Sequence, residues 1–346
     1  MNHYLKQYAT KFYGAQSPDY LRQKLLVYGI ARLSGSIPVG LQNMLLDSIL
    51  VRPIRSLLYR NFCGGESLDD VRSVAKVYST HGIGSIIDYA AESLEPNGKT
   101  FKVDDILPNT WKDDGESVFS LKLSSIFSFN RLRRLNALYS EQLRSKKSVL
   151  ALMEEIECLN KYIEIDEYLK SINGRYKITI DAESSDIQTA ISAICIELMK
   201  SHNRHRVSIF NTYQAYLKNS MQTLQLDFET SKKESFIFAA KIVRGAYLKY
   251  EEALQSNVVY KNIEETHENY DAIIEYLAMH SSREDRIIIA THNEQSICKS
   301  LDLQEKFSKS LTFAQLHGMR DYLTYFLAEN GYKVLKYIPY GPEALT

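Results

Sequence analysis

Lys241, Arg244, Gly245 and Tyr247 fall close together in the run FAAKIVRGAYLKYE, which begins at Phe238. Phe238 to Val243 is apolar apart from Lys241, the pattern of a strand buried on both faces. Gly245 then lets the backbone turn or approach a ligand closely. Two cations, a glycine and an aromatic at the carboxyl end of a parallel strand suit an anionic, planar cofactor.

The elements that must position these residues follow from the repeat of short β-rich runs. Strands are predicted at 84–90, 119–124, 177–181, 207–213, 238–243, 286–292, 311–317 and 333–340, with amphipathic helical segments between them. Such alternation implies a parallel sheet, and eight strands imply a closed (β/α)8 TIM-like barrel. An open doubly wound sheet fits less well, because Gly82-Ile83-Gly84 precedes a strand and lacks the third glycine of a dinucleotide fingerprint. The predicted division is 1–80, a helical N-terminal extension packing on the barrel, and 81–346, the barrel, with a helical insertion at about 125–176. Ser67 and Asp70 are spaced as a capping box.

A barrel carries its chemistry at the carboxyl ends of its strands. There the sequence places Asp88, Lys122, Asp181 with Glu183, Asn211 with Gln214, Lys241 with Arg244, Thr291-His292-Asn293, His317 and Tyr337. Singly, most fit a structural ion pair or a helix cap, and Asp88 reads as structural. Converging on one mouth, they make a mixed polar lining suited to a ligand. His202 and His205 precede a strand and read as surface residues of the opposite face. No ligand spacing for a metal, no GxSxG elbow and no carboxylate pair placed across a substrate is present.

Composition narrows the class. Lys+Arg and Asp+Glu each number 42 in 346 residues, so the formal net charge is zero, which disfavours a nucleic-acid partner. The four cysteines are widely separated, which disfavours a disulfide framework. No apolar run approaches the ~20 residues of a membrane span. Residues 1–18 hold two lysines and no acid, and Tyr4, Leu5, Tyr8, Phe12 and Tyr13 share one helical face. This reads either as a mitochondrial presequence or as an ordinary first helix.

The runs NFCGGESLDDVRSVAKVYSTHGIGSIIDYAAE, FSLKLS, ITIDAE, IFNTYQAYLK, FAAKIVRGAYLKYE, IATHNEQS, FAQLHGM and KYIPYGP, from about Asn61 to Pro342, together resemble the proline dehydrogenase family, especially its eukaryotic mitochondrial type. The resemblance implies a (β/α)8 flavoenzyme that oxidises L-proline to pyrroline-5-carboxylate by hydride transfer to FAD. Electrons would pass to a quinone, with peripheral association at the matrix side of the mitochondrial inner membrane. It implies that Lys122 faces the substrate carboxylate, that Asp181 pairs with Tyr337, and that Ala182 touches FAD through its backbone. Gln214 would bond the flavin ring and Lys241 would stand near flavin N5, where bacterial relatives often have arginine. Val243, Arg244 and Gly245 would hold FAD, Tyr247 would form a pocket wall, and Thr291 and His292 would contact the phosphate and ribityl region.

The family pattern continues past KYxPxGP into a helix bearing Tyr-x-x-Arg-Arg, whose arginines clamp the substrate carboxylate. That helix is missing from these residues, which end at Thr346. Loss of two charge-assisted hydrogen bonds would weaken substrate binding by roughly 3–6 kcal/mol. The expected function is therefore a proline dehydrogenase whose sequence is cut short. The alternatives are a non-catalytic flavin-binding relative and a dehydrogenase for hydroxyproline or another cyclic amine.

Overall fold

The computed structural model describes residues 2–34, 52–90, 100–108, 111, 117–142, 148–254 and 257–341. The end of the chain after Gly341, where the missing helix was at issue, lies outside the described residues. Eight strands close into one parallel barrel in chain order. They are β1 (Gly84–Tyr89), β2 (Ser117–Leu121), β3 (Lys177–Ile180), β4 (Ile209–Gln214), β5 (Ala239–Val243), β6 (Arg286–Ala290), β7 (Leu311–Leu316) and β8 (Lys333–Tyr340). β8 closes on β1 with Ile86 opposite Tyr337 and Asp88 opposite Pro339. The (β/α)8 class is thus as expected. Helices Ser185–His202, Ser220–Lys233, Ile263–His280, Glu294–Lys306 and Asp321–Glu329 follow β3, β4, β5, β6 and β7. Their apolar faces and the Ile- and Val-rich strands form one continuous core, the largest favourable term in holding such a fold.

Several strand boundaries shift, and two of the shifts have a visible cause. The run predicted at 119–124 pairs only to Leu121, because Leu123–Ser125 forms a 3-10 turn and Glu183 accepts the Ser124 amide at 3.0 Å. The fourth strand begins at Ile209 rather than 207, since Asn203 Oδ1 takes the amides of Ser208 and Ile209. His202 is not a surface residue: its Nε2 meets Asp166 Oδ1 at 2.7 Å and its side chain is only 10% exposed. His205 is exposed.

The N-terminal helices Asn2–Gly14, Pro18–Ser34, Arg52–Phe62 and Leu68–Ser79 are each separate. Of the shared face read in the first helix, Leu5 is buried, Tyr8 meets Phe326 edge-on at 5.3 Å and Phe12 meets Tyr325 at 5.5 Å, so it packs on helix Asp321–Glu329. Tyr4 instead projects into solvent. Ser67 and Asp70 form a reciprocal capping box on Leu68–Ser79. Between β2 and β3 lie the helices Phe129–Gln142, Val149–Glu155 and Leu159–Ile172; residues 143–147 lie outside the described set.

Candidate active site

A cavity of about 320 Å³ opens at the carboxyl ends of the strands. Its lining brings together Lys122, Asp181, Ala182, Gln214, Lys241, Val243, Arg244, Gly245, Tyr247, Thr291, His292 and Tyr337, which are all of the site residues named from the sequence. They come from six strand ends because parallel closure points every strand the same way.

The floor is a buried ionic cluster. Lys241, on β5, forms an ion pair with Asp181, just beyond β3. Tyr337, on β8, donates to Asp181 Oδ2 at 2.9 Å, and Thr179 donates to Oδ1 at 3.2 Å. The Lys241 ammonium lies 5.2 Å from the Tyr337 ring centroid, a cation–π contact. Burial pushes the Asp181 carboxyl up, but Lys241 and then Lys122 outweigh it and hold the group below its ordinary value. Burial, followed by the Asp181 and Asp88 charges, drives the Tyr337 phenol far up, so Tyr337 is a fixed donor.

Lys122 is engaged more deeply than its assigned role suggests. Asp88 grips its ammonium with both oxygens, at 3.0 and 2.9 Å. Burial raises the Asp88 carboxyl, Lys122 lowers it, and nearby Asp181 raises it again; the net shift is upward. Asp88 thus holds Lys122 in a buried ion pair and sets the charge of the site.

Arg244 dominates the upper wall. Its Nε donates to His267 Nδ1 at 2.9 Å, and its two terminal nitrogens donate to Thr291 Oγ1 at 2.6 Å and Ser296 Oγ at 2.9 Å. The guanidinium also stacks 4.1 Å from the Tyr270 centroid. All of these partners are neutral, since a ring nitrogen that accepts is unprotonated. Two of its five N–H donors remain. Among the described residues no carboxylate lies within ion-pair distance of Arg244; Asp271 reaches it only through the Ser296 hydroxyl, which donates to Asp271 Oδ1 at 2.6 Å, and burial pushes the Arg244 pKa down against the Asp271 charge. A partly buried cation held by neutral groups favours an anionic ligand.

Gly245 follows at φ +134°, and a Cβ there would meet the Tyr216 ring at 2.1 Å. The close approach that requires glycine is thus to Tyr216. Gln214 Nε2 donates to the Glu183 carbonyl at 2.7 Å. His292 Nε2 accepts the Leu316 amide at 3.0 Å, while burial, Lys336 and Arg320 push the imidazole down to about 4. His317 does not join the cavity; its Nδ1 meets Tyr78 Oη at 2.8 Å on the outer side. Asn293 caps the next helix through the Ser296 amide. Thr212, Gln315, Ala290, Ala314 and Leu316 also line the cavity and were not named from the sequence. Alternation along β4 from Gln214 could have found Thr212; the alanines carry no signal of their own.

A bound FAD fits this lining. Thr212 Oγ1 is buried without a hydrogen-bond partner among the described residues. Arg244 has spare donors, and small apolar residues leave room for a flat ring. A closed parallel barrel with a polar cavity at the carboxyl ends of its strands defines the (β/α)8-barrel class. A sequence profile described as Proline dehydrogenase matches residues 88–345. The chain is 31% identical over 310 residues to the carbapenem antibiotics biosynthesis protein CarD of Pectobacterium carotovorum subsp. carotovorum, covering 86% of this chain and 79% of that protein. It is 35% identical over 198 residues to Proline dehydrogenase 1, mitochondrial, of Caenorhabditis elegans, covering 53% of this chain and 32% of that one. The Dictyostelium discoideum protein of the same description is 27% identical over 339 residues, covering 84% and 59%. Among solved structures, proline utilization A (PutA) from Bdellovibrio bacteriovorus superposes with a TM-score of 0.66 at 18% identity, covering 85% of this chain and 32% of that one. The chain thus spans about a third of that PutA chain and of the nematode relative. It belongs to the proline dehydrogenase family and is an oxidoreductase of that family.

Proposed function

We propose that this chain oxidises L-proline to pyrroline-5-carboxylate with FAD, and that it works peripherally at the matrix side of the mitochondrial inner membrane, with a quinone as acceptor. The observation that carries the flavin is Arg244: a partly buried guanidinium held only by neutral groups at the mouth of a cavity with small apolar walls. Arg244, Thr291 and His292 would hold the phosphate and ribityl parts. Val243 and Gly245 would support them, and Ala182, Gln214 and Lys241 would bear on the ring. When bound, FAD supplies the two-electron acceptor for a hydride from the carbon beside the ring nitrogen.

The residues of the chain do the rest. Lys241 would supply positive charge beside the flavin, and Asp181 with Tyr337 fixes the direction of its ammonium. Lys122 and Asp88 present a dipole to a zwitterion, and Tyr247 walls the apolar ring carbons. The amine must have lost its ammonium proton before the hydride leaves, so turnover should rise with pH. The mitochondrial names of several relatives support the location.

The test is anaerobic addition of L-proline to the purified, FAD-loaded chain. Bleaching of the yellow chromophore supports the proposal. A yellow protein that proline does not bleach is the non-catalytic flavin-binding relative. Bleaching by hydroxyproline alone reassigns the substrate.

A further inference from the structure

The N-terminal helix Pro18–Ser34 reaches the cavity through a partly buried polar chain that the site residues do not account for. Lys24 Nζ donates to Asn61 Oδ1 at 2.7 Å and to the Gly318 carbonyl at 3.2 Å, and lies 3.3 Å from Asp321 Oδ2. Tyr28 Oη donates to the same Gly318 carbonyl at 2.8 Å. Tyr20 Oη donates to Asp321 Oδ2 at 3.3 Å. On the inner side Lys336, fully buried on β8, donates to Asp321 Oδ1 at 2.9 Å, to the Met319 carbonyl at 3.0 Å and to the Leu316 carbonyl at 3.1 Å. Leu316 in turn gives its amide proton to His292 Nε2. Gly318, at φ +77°, is pressed so close to the Asn61 backbone that a Cβ would meet that carbonyl at 2.0 Å.

The end of β7 at Leu316 and the turn that follows it are therefore held from both sides by lysines sharing one aspartate. This settles the tautomer of His292. An imidazole whose Nε2 accepts an amide proton keeps its own proton on Nδ1, and Nδ1 has no partner among the described residues. His292 thus offers the cavity a donor and no acceptor at that atom.

We propose that Lys24, Tyr28 and Lys336 are positioning residues for His292: helix Pro18–Ser34 clamps the connection from the end of β7 at Leu316 to the helix start at Asp321, so that His292 is locked as the Nδ1–H tautomer, a neutral donor toward an anionic cofactor. The cofactor part of this proposal rests on the flavin reading above; the tautomer part stands on the chain alone. Lys24 is the residue to test, because it is partly accessible and its removal spares the inner Lys336–Asp321 pair.

The experiment combines nitrogen NMR of the histidine-labelled chain with FAD titration, on the wild type, Lys24→Met with Tyr28→Phe, and Lys24→Arg. The wild type should show His292 as a single Nδ1–H tautomer. In the double variant the two ring nitrogens should move toward a tautomer mixture, and the FAD dissociation constant should rise about three- to tenfold. Lys24→Arg keeps the charge and donors and should recover most of both. Unchanged tautomer in the double variant overturns the proposal, even if affinity or melting temperature falls, because the helix would then act on stability alone. A wild type already mixed in tautomer overturns it as well. Should the chain bind no FAD, the tautomer arm still decides the clamp, and only the flavin reading is lost.

Discussion

Replacing Lys241 by methionine removes a charge and keeps most of the volume. The ammonium is the ion-pair partner of Asp181, and it lies over the Tyr337 ring. Asp181 would keep the Tyr337 and Thr179 hydroxyls as donors but lose the main force that offsets its burial. Breaking a buried pair from one side costs about 3–5 kcal/mol. The pH dependence of that cost tests the cause. In the wild type the folded-state pKa of Asp181 is depressed, so its stabilisation is present above the unfolded value and is lost as pH falls through the folded value. In the variant burial dominates, the folded pKa lies above the unfolded one, and stability falls as pH rises through the carboxylate range. Urea unfolding across a pH series from about 4 to about 8 should therefore show the gap between the two proteins widening with pH. A gap that stays constant, or one below about 1 kcal/mol throughout, would refute the assigned cluster. In the FAD-loaded protein, the same change should slow reduction by proline roughly a hundredfold while weakening FAD binding much less. Equal loss of both would contradict the role given to Lys241.

Arg244→Lys should weaken FAD binding by roughly ten- to a hundredfold, because an ammonium cannot reproduce a fork reaching Thr291, Ser296 and His267 together. Flavin fluorescence titration reads this, and unchanged affinity would remove Arg244 from the cofactor site. Gly245→Ala should destabilise the chain by at least about 2 kcal/mol in a thermal or urea melt, from both the positive φ and the Tyr216 ring; a neutral result would show that the turn can relax. Asp227 accepts from Tyr213 Oη at 2.8 Å, and burial pushes its carboxyl up to about 7 from an ordinary 3.8. The folded pKa exceeds the unfolded one, so this group removes stability as pH climbs between those values. Asp227→Asn should flatten that slope, and an identical pH profile for the two proteins would exclude Asp227 as its source.

The barrel was legible because parallel strands buried on both faces leave unbroken Ile- and Val-rich runs, as in RIIIA of β6. Once the barrel was read, the site residues followed, since closure carries every strand end to one mouth. What stayed hidden were the partners. Nothing in the sequence near Arg244 points to Tyr270, which comes from the apolar face of helix Ile263–His280 and reads as ordinary core. The pairing of Lys122 with Asp88 joins two strand ends that either could have left for another partner. His317 stands at a strand end like the others, yet it turns outward to Tyr78 in a loop whose Gly318 is pinned by Asn61. End of β2 was misread because Leu121 and Leu123 are equally apolar and equally buried, so hydropathy does not mark where the strand gives way to a 3-10 turn.

The ionic floor constrains what can bind above it. Lys122 and Lys241 are matched one for one by Asp88 and Asp181, so the inner cluster is formally neutral. Adding a simple carboxylate would leave an uncompensated charge in a buried site, which is costly. A zwitterionic amino acid adds none, and its opposed ends can meet the opposed ends of the two pairs. Hydride removal, however, needs the neutral amine, and a bound amino acid that has lost its ammonium proton carries a net negative charge. Arg244 cannot balance that charge if it serves an anionic cofactor. Within the cluster, Asp88 is the group whose carboxyl burial already draws toward the protonated form. A proton released from the amine would be better tolerated there than on Asp181, whose carboxyl is held low, and protonating Asp88 would free Lys122 to meet the substrate carboxylate. On this argument the Asp88–Lys122 pair is what lets a neutral pocket accept a zwitterion and then hold its anion.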